Sequence, residues 1–148
     1  MAVTKAQLAH SSWELLYDSV NTSITDPKSR GIQWIFAAFP DTKKWPEGKD
    51  AFPILVLDSP DVINEKIVFS DSKRNFIFRT YLSIFATRMD EVDSLADSFY
   101  QLLDSNYSYL AQNKLFVSIV RGSTISSSIY GNERVHEKKI ALEFQSVL

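Results

Sequence analysis

The sequence contains no cysteine, which excludes disulfide bonds, cysteine metal ligands and thiol catalysis. It contains only two histidines, His10 and His136, and they do not form the H-x-H or H-x-x-x-H spacing typical of metal sites. With four glycines in total, it has no glycine-rich loop that holds a phosphate, and no G-x-S-x-G segment is present. We therefore expect no cofactor, no metal and no enzymatic activity.

One pair of acidic residues has a spacing that resembles a catalytic carboxylate pair. Asp58 and Asp61 lie in the segment LDSPD, on either side of a serine and a proline. Aspartate, serine and proline are also the residues that form turns, because their side chains or rings favour turn geometry. We interpret both aspartates as turn residues that follow a strand.

Charge and hydrophobicity exclude two further classes of protein. The 148 residues carry 16 Lys and Arg against 18 Asp and Glu, so the chain lacks the basic excess of a nucleic-acid-binding domain. No apolar run approaches the ~20 residues of a membrane span, and the segment MAVTKAQLAHSSW lacks the apolar core of a signal peptide. Because 45% of the residues are hydrophobic and 13% aromatic, a packed core is feasible. These features predict one soluble, intracellular domain covering residues 1–148.

Two helices are predicted from the periodicity of apolar residues. The first covers residues 4–24, with Thr4 as its N-cap. The second follows the segment RMDEVDS, where Asp90 is the predicted N-cap and the next acidic residues suit the positive end of the helix dipole. Its core-facing stripe recurs at helical spacing and comprises Val92, Leu95, Ala96, Phe99, Leu102 and Leu103.

Most other apolar segments predict strands. Residues 54–57 are apolar on both faces and lie between two prolines, which predicts a strand inside the sheet. Residues 76–88 alternate between an apolar face and a mixed face, with a short strand predicted before them at residues 66–69. A hairpin spans residues 116–144 around the turn YGNER, and residues 32–39 form either a short strand or a helical turn. The element order predicts an α+β fold, with a mixed or antiparallel sheet packed against two main helices.

The surface of this fold is the remaining candidate for function. The mixed faces of the strands carry amphipathic side chains, and two aromatic residues lie in or beside the polar loop at residues 41–50. Aromatic residues and arginine supply much of the binding energy of protein interfaces. The candidate interface residues are Trp45, Phe52, Arg79, Tyr81, Arg88, Arg121, Lys139 and Glu143. Two alternatives stay open, since the three arginines also suit solvated strand edges and Trp45 also suits a position folded back onto the core.

The order of these elements and three short segments resemble the tail-terminator proteins of tailed viruses, also known as tail-completion or head–tail joining proteins. The segments are FPILVLDSP, the junction before DEVDSLAD, and RVHEKKIALEF, and the resemblance covers about residues 31–145. It implies an α+β sandwich that assembles into a ring, usually a hexamer, which caps the tail tube and stops its polymerisation.

The resemblance also implies partners and a location. The partners are other copies of the chain, the tail-tube protein and a head-completion or neck protein, while DNA crosses the lumen without sequence-specific binding and no membrane is involved. The protein would be assembled in the host cytoplasm and reside in the virion tail or neck. The long strand and the hairpin would line or brace the ring, and the loop at residues 41–50 would project towards an axial neighbour.

Two other functions remain compatible with the sequence. The chain could be another ring-forming neck or tail-tube protein of a virion, because such proteins use the same element types. It could also be a non-viral α+β domain that binds a small ligand. The mass of the protein in solution separates the ring-forming functions from the second alternative.

Overall fold

A computed structural model describes residues 5–40, 50–67, 74–130 and 133–147 of the chain. Within these residues the fold is α+β, as the sequence predicts, with a mixed sheet of six strands and three helices. The helices are α1 (Lys5–Ser23), α2 (Met89–Ser105) and α3 (Tyr107–Gln112). The strands are β1 (Ile35–Phe36), β2 (Ile54–Leu57), β3 (Asp61–Ile67), β4 (Arg74–Ala86), β5 (Leu115–Tyr130) and β6 (Glu133–Val147).

The strand order is β1-β2-β4-β6-β5, and β3 also pairs with β4. β1 runs parallel to β2, and every other pair is antiparallel. β6 occupies one edge of β4 from Asn75 to Ala86, so β2 and β3 pair in succession along the other edge. Asp58 connects them, because its N–H donates to the Tyr81 carbonyl at 3.1 Å and its carbonyl accepts from the Thr80 hydroxyl.

The main core lies between one face of the sheet and the helices. The predicted apolar face of β4 supplies Phe78, Leu82 and Ile84, all fully buried, and the same alternation in β6 buries Ile140, Leu142 and Phe144. The α2 stripe packs on these strands with the predicted residues, of which Leu103 is partly buried and the others are buried. The sequence prediction of both core-facing patterns is therefore confirmed.

A smaller cluster covers part of the opposite face of the sheet. It consists of Phe52, Ile54, Val56, Phe85 and Val135, with Phe36 and Tyr130 packed against it. The Phe39 ring extends this cover, since it lies 5.0 Å from the Phe85 ring and 5.2 Å from the Tyr130 ring. The neighbouring part of this face carries exposed and half-exposed side chains together with the buried residues Ile77, Ser83 and Ala141.

Two local predictions are wrong, and a third has the wrong start. The strand before β4 is β3 (Asp61–Ile67), which begins five residues before the predicted start at residue 66, and residues 68 and 69 of that prediction lie outside the described residues. Arg88, with an extended backbone, is the N-cap of α2, so Asp90 lies inside the first turn and accepts a hydrogen bond from the Glu91 N–H. The segment after α2, predicted as a connection, forms the short helix α3.

Other predictions have mixed outcomes. β2 is the predicted buried strand, and it lies between β1 and β4 inside the sheet. The ambiguous segment at residues 32–39 contains the two-residue strand β1. Thr4, the predicted N-cap of α1, lies outside the described residues. None of the helices in the described residues combines the length and the hydropathy needed to cross a membrane.

Candidate functional site

The part of the sheet that faces away from the helices and lies outside the small cluster is here called the open face. The register of β4 and β6 determines its composition, since Arg79 pairs with Glu143 and Tyr81 pairs with Ala141. Side chains alternate along a strand, so these residues point to the side opposite the main core. The exposed and half-exposed residues of the open face are Arg79, Tyr81, Phe116, Ser118, Lys139 and Glu143.

Tyr81 and Lys139 form a contact on the open face. They occupy diagonal positions on β4 and β6, and the Lys139 ammonium lies 4.5 Å from the centre of the Tyr81 ring. A cation over an aromatic face is attracted by the ring quadrupole, by about 0.5–1 kcal/mol at an exposed site. Tyr81 is nevertheless 38% exposed, so the pair presents both an aromatic surface and a positive charge to the outside.

Arg79 and Glu143 form the neighbouring ion pair. The Arg79 Nη2 lies 3.7 Å from the Glu143 Oε2, which is longer than a hydrogen bond. The Arg79 Nε is buried and has no hydrogen-bond partner among the described residues. The hydrogen-bonding capacity of this guanidinium is therefore only partly used within the described part of the chain.

Arg88 lies away from the open face. It precedes α2, and its side chain binds Asp90 through two contacts, Nε to Oδ1 at 3.0 Å and Nη2 to Oδ2 at 2.8 Å. This hydrogen bonding holds the pKa of the Asp90 carboxyl below its usual value. The prediction that Arg88 points out from a strand is wrong, because β4 ends at Ala86.

The other predicted interface residues have different outcomes. Phe52 is not an exposed loop residue: it lies two residues before the start of β2 and is 3% exposed, because it packs into the small cluster. Arg121 lies on β5, where its backbone pairs with Ala141 of β6. Trp45 lies outside the described residues.

Two exposed surfaces were not predicted from the sequence. The first is on β5, where Phe116, Ile119, Ile125 and Ile129 are exposed. The second is the outer side of α2, which carries Asp93, Asp97 and Asp104 and has no lysine or arginine along the helix. The acidic side of α2 is visible in the sequence as acidic residues between the core positions. The exposure of the apolar residues on β5 could not be predicted, because it depends on which strand ends the sheet.

Both histidines and Asp58 have local interactions within the described residues. His10 lies 3.1 Å from Glu14 on α1, and the His136 Nδ1 lies 2.9 Å from the Ser127 hydroxyl across the hairpin. Burial raises the pKa of the Asp58 carboxyl, partly offset by the nearby Lys139 ammonium. In the described ranges no three metal-binding side chains come together.

A cleft of about 350 Å³ lies where the α1–β1 connection meets the start of α2, lined by Pro27, Arg88, Asp90, Glu91, Ser94 and Leu95. Its arginine and Asp90 bind each other, as described above. The cleft is therefore an open depression that includes an ion pair, rather than an enclosed apolar ligand pocket.

No protein-family model matches this chain, and no curated protein is similar enough to it to count as a match. The resemblance to tail-terminator proteins therefore depends on the three sequence segments and on the order of the elements.

Proposed function

We propose that this chain is a structural protein of a viral tail whose copies form a hexameric ring. The ring caps the tail tube, ends its polymerisation and joins the tail to the head or neck. Its partners are other copies of itself, the tail-tube protein and a neck protein, and DNA passes through its lumen without sequence-specific binding. The protein is assembled in the host cytoplasm and resides in the virion.

The observation that carries this proposal is the open face. An antiparallel sheet can leave one face in water, and such a face is then mostly polar. Here the 38% exposed rings of Tyr81 and Phe116 share one face of the sheet with Arg79 and Lys139, and Lys139 lies against the Tyr81 ring. Tyrosine, phenylalanine and arginine are enriched in protein interfaces, whereas lysine is depleted there and suits the rim. The open face therefore has the composition of a surface that another protein covers.

The outer side of α2 supports a ring rather than a two-fold dimer. Subunits of a ring contact each other through two different surfaces, one on each side of the subunit. The open face and α2 lie on opposite sides of the sheet, and α2 presents Asp97 and Asp104, together with Asp93, which also binds Lys138 of the same chain at 3.2 Å. Such acidic side chains are complementary to the positive charges of Arg79 and Lys139, which favours contact between unlike surfaces of neighbouring copies.

Replacing Tyr81 with alanine is expected to weaken ring formation without unfolding the subunit. The substitution removes an interface ring and the partner of Lys139, and truncation of a central aromatic typically lowers affinity by about tenfold or more. Size-exclusion chromatography with light scattering measures the mass, and electron micrographs show whether rings are present.

Tyr81→Phe is the matched control, because it keeps the ring and the cation contact and should assemble like the natural chain. If Tyr81→Ala assembles as well as Tyr81→Phe, the open face does not join the subunits. If the natural chain is a monomer at every concentration, the ring itself is wrong.

Trp45→Ala is expected to leave the subunit folded and to weaken assembly with an axial neighbour. The reason is the predicted position of Trp45 in a projecting polar loop, where a large aromatic side chain would dock on a partner. Circular dichroism checks folding, and a tail-tube polymerisation assay checks capping. An unfolded Trp45→Ala subunit would contradict a docking role, because it would place the side chain in the core.

A further inference from the structure

β5 ends the strand order, and in the described residues it pairs only with β6. Its outer edge therefore presents backbone N–H and C=O groups that have no strand partner within the described part of the chain. An unpaired edge is a template for another strand, and proteins usually protect it with charges, prolines or bulges.

The second half of β5, residues 124–130, lacks these protections and is here called the outer segment. It pairs with β6 without a register shift, from Thr124 with Lys139 to Tyr130 with Glu133. The outer segment has the sequence TISSSIY, with no charge, proline or glycine, whereas the β6 residues opposite it include Glu133, Arg134, Glu137, Lys138 and Lys139. In this half of the hairpin the charged residues therefore lie only on β6, the strand that is already paired.

The outer segment also presents apolar side chains. Ile125 is 56% exposed and Ile129 is 71% exposed, and both lie on the same face as Ser127. The two isoleucines would be covered if another strand paired with this edge and placed apolar residues directly opposite them.

A second copy of the outer segment has the sequence pattern that such an added strand needs. The five residues from Ile125 to Ile129 read I-S-S-S-I, which is the same in both directions. When two copies pair antiparallel with Ser127 opposite Ser127, each Ile125 lies opposite Ile129 of the other copy. Each Ser126 then lies opposite Ser128, so apolar residues meet apolar residues and serines meet serines on both faces.

We propose that the outer segment binds the same segment of a second copy of this chain, antiparallel and about a two-fold axis at Ser127. The pairing joins the two sheets through main-chain hydrogen bonds and closes a cluster of four isoleucines. Because the segment is uncharged, no like charges meet within it. A two-fold contact uses the same surface on both copies and cannot close a ring, so it is separate from the ring contacts and would join two rings or pairs of subunits.

The size of the contact indicates its strength. A standard interface buries about 800 Å² on each partner and uses about 20–30 residues a side. The outer segment has far fewer residues, so an isolated pair is weak and dissociates at micromolar concentrations. Several copies held in one assembly would strengthen it by multivalency.

Ser127→Cys tests the position of the axis, because the chain contains no other cysteine. Directly opposite residues of an antiparallel pair have Cα atoms about 4.5–5.5 Å apart, within the range for a disulfide. Under mild oxidation we expect a cross-linked dimer of Ser127→Cys. Ser118→Cys, an exposed position on the same strand but far from the axis, should stay uncross-linked. Failure of Ser127→Cys to cross-link, or equal cross-linking of both variants, overturns the proposal.

A second pair of variants tests the register. Ile125→Lys/Ile129→Glu places a lysine opposite a glutamate twice across the axis, whereas Ile125→Lys/Ile129→Lys places lysine opposite lysine. Both positions are exposed, so both variants should fold, as circular dichroism can verify. We expect the Lys/Glu variant to dimerise at least tenfold more tightly than the Lys/Lys variant in analytical ultracentrifugation at low salt. Equal affinities of the two variants overturn the register. If the natural chain forms no hexameric rings, that result counts against the proposed function alone.

Discussion

Replacing Phe99 with alanine is expected to lower the free energy of unfolding by about 3–5 kcal/mol. Phe99 lies in the middle of α2, is fully buried and belongs to the main core between the helices and the sheet. Its removal loses the burial of an aromatic ring and leaves a cavity that β4 and β6 cannot fill, because a sheet held by many interstrand pairs does not collapse easily.

Urea unfolding followed by circular dichroism measures this loss. Gln101→Ala is the control on the same helix, because Gln101 is exposed and its replacement should change the free energy of unfolding by less than about 0.5 kcal/mol. A loss below about 1 kcal/mol for Phe99→Ala would mean that α2 packs on the sheet through another face.

The core could be predicted because burial and local periodicity coincide in it. β4 alternates between Phe78, Leu82 and Ile84 on one face and more polar residues on the other, and only the first face packs on helices. α2 is amphipathic in the same way. Where one face of an element is buried by a single layer, the spacing of its apolar residues is enough to orient it.

The predictions failed where the structure depends on pairing between distant segments. β3 is a strand because it continues the line of β2 along β4, and nothing within its own sequence marks its start at Asp61. Phe52 resembles an exposed loop aromatic, but the approach of β2 and Tyr130 buries it. The end of β4 at Ala86 likewise decides that Arg88 belongs to the helix rather than the sheet.

The open face could be predicted only in part, because its composition also depends on the pairing of distant segments. Arg79 and Tyr81 share a face by alternation within β4, and Lys139 and Glu143 share a face by alternation within β6. Only the register of these two strands brings the two pairs together on one surface. Sequence alternation therefore provides the members of such a surface, and strand pairing decides which of them meet.

Arg30 was not singled out from the sequence, although it is among the most constrained polar residues of the fold. It lies in the segment TDPKSRG, which has the composition of a solvent-exposed turn, yet it is only 6% exposed. Its Nε donates to the Asp26 Oδ2 at 2.9 Å, and its Nη1 and Nη2 donate to the carbonyls of Asp50 at 2.9 Å and Pro53 at 2.7 Å. One guanidinium thus fastens the turn after α1 to the segment that leads into β2.

Replacing Arg30 with methionine is expected to lower the free energy of unfolding by about 3–5 kcal/mol. Methionine keeps the length of the side chain but leaves the Asp26 carboxylate, which is 10% exposed, without its cation, and breaking a largely buried pair in this way is strongly destabilising. It also leaves the carbonyls of Asp50 and Pro53 without their donors. Arg134→Met is the matched control, since Arg134 is exposed at the tip of the hairpin and its replacement should have little effect.

The pH dependence of stability tests the same ion pair independently. Burial opposes ionisation of Asp26, but hydrogen bonds from the Arg30 side chain and from the N–H groups of Lys28 and Arg30 outweigh it and lower the pKa of this carboxyl. A carboxyl with a lowered folded-state pKa stabilises the fold above its unfolded pKa of about 3.9, and this stabilisation is lost as the pH falls through the folded value. The difference in unfolding free energy between the natural chain and Arg30→Met should therefore be constant near neutral pH and shrink below about pH 4. A difference that persists unchanged in acid would show that Arg30 acts through its packing and its carbonyl contacts, because Asp26 would then contribute nothing as an ion.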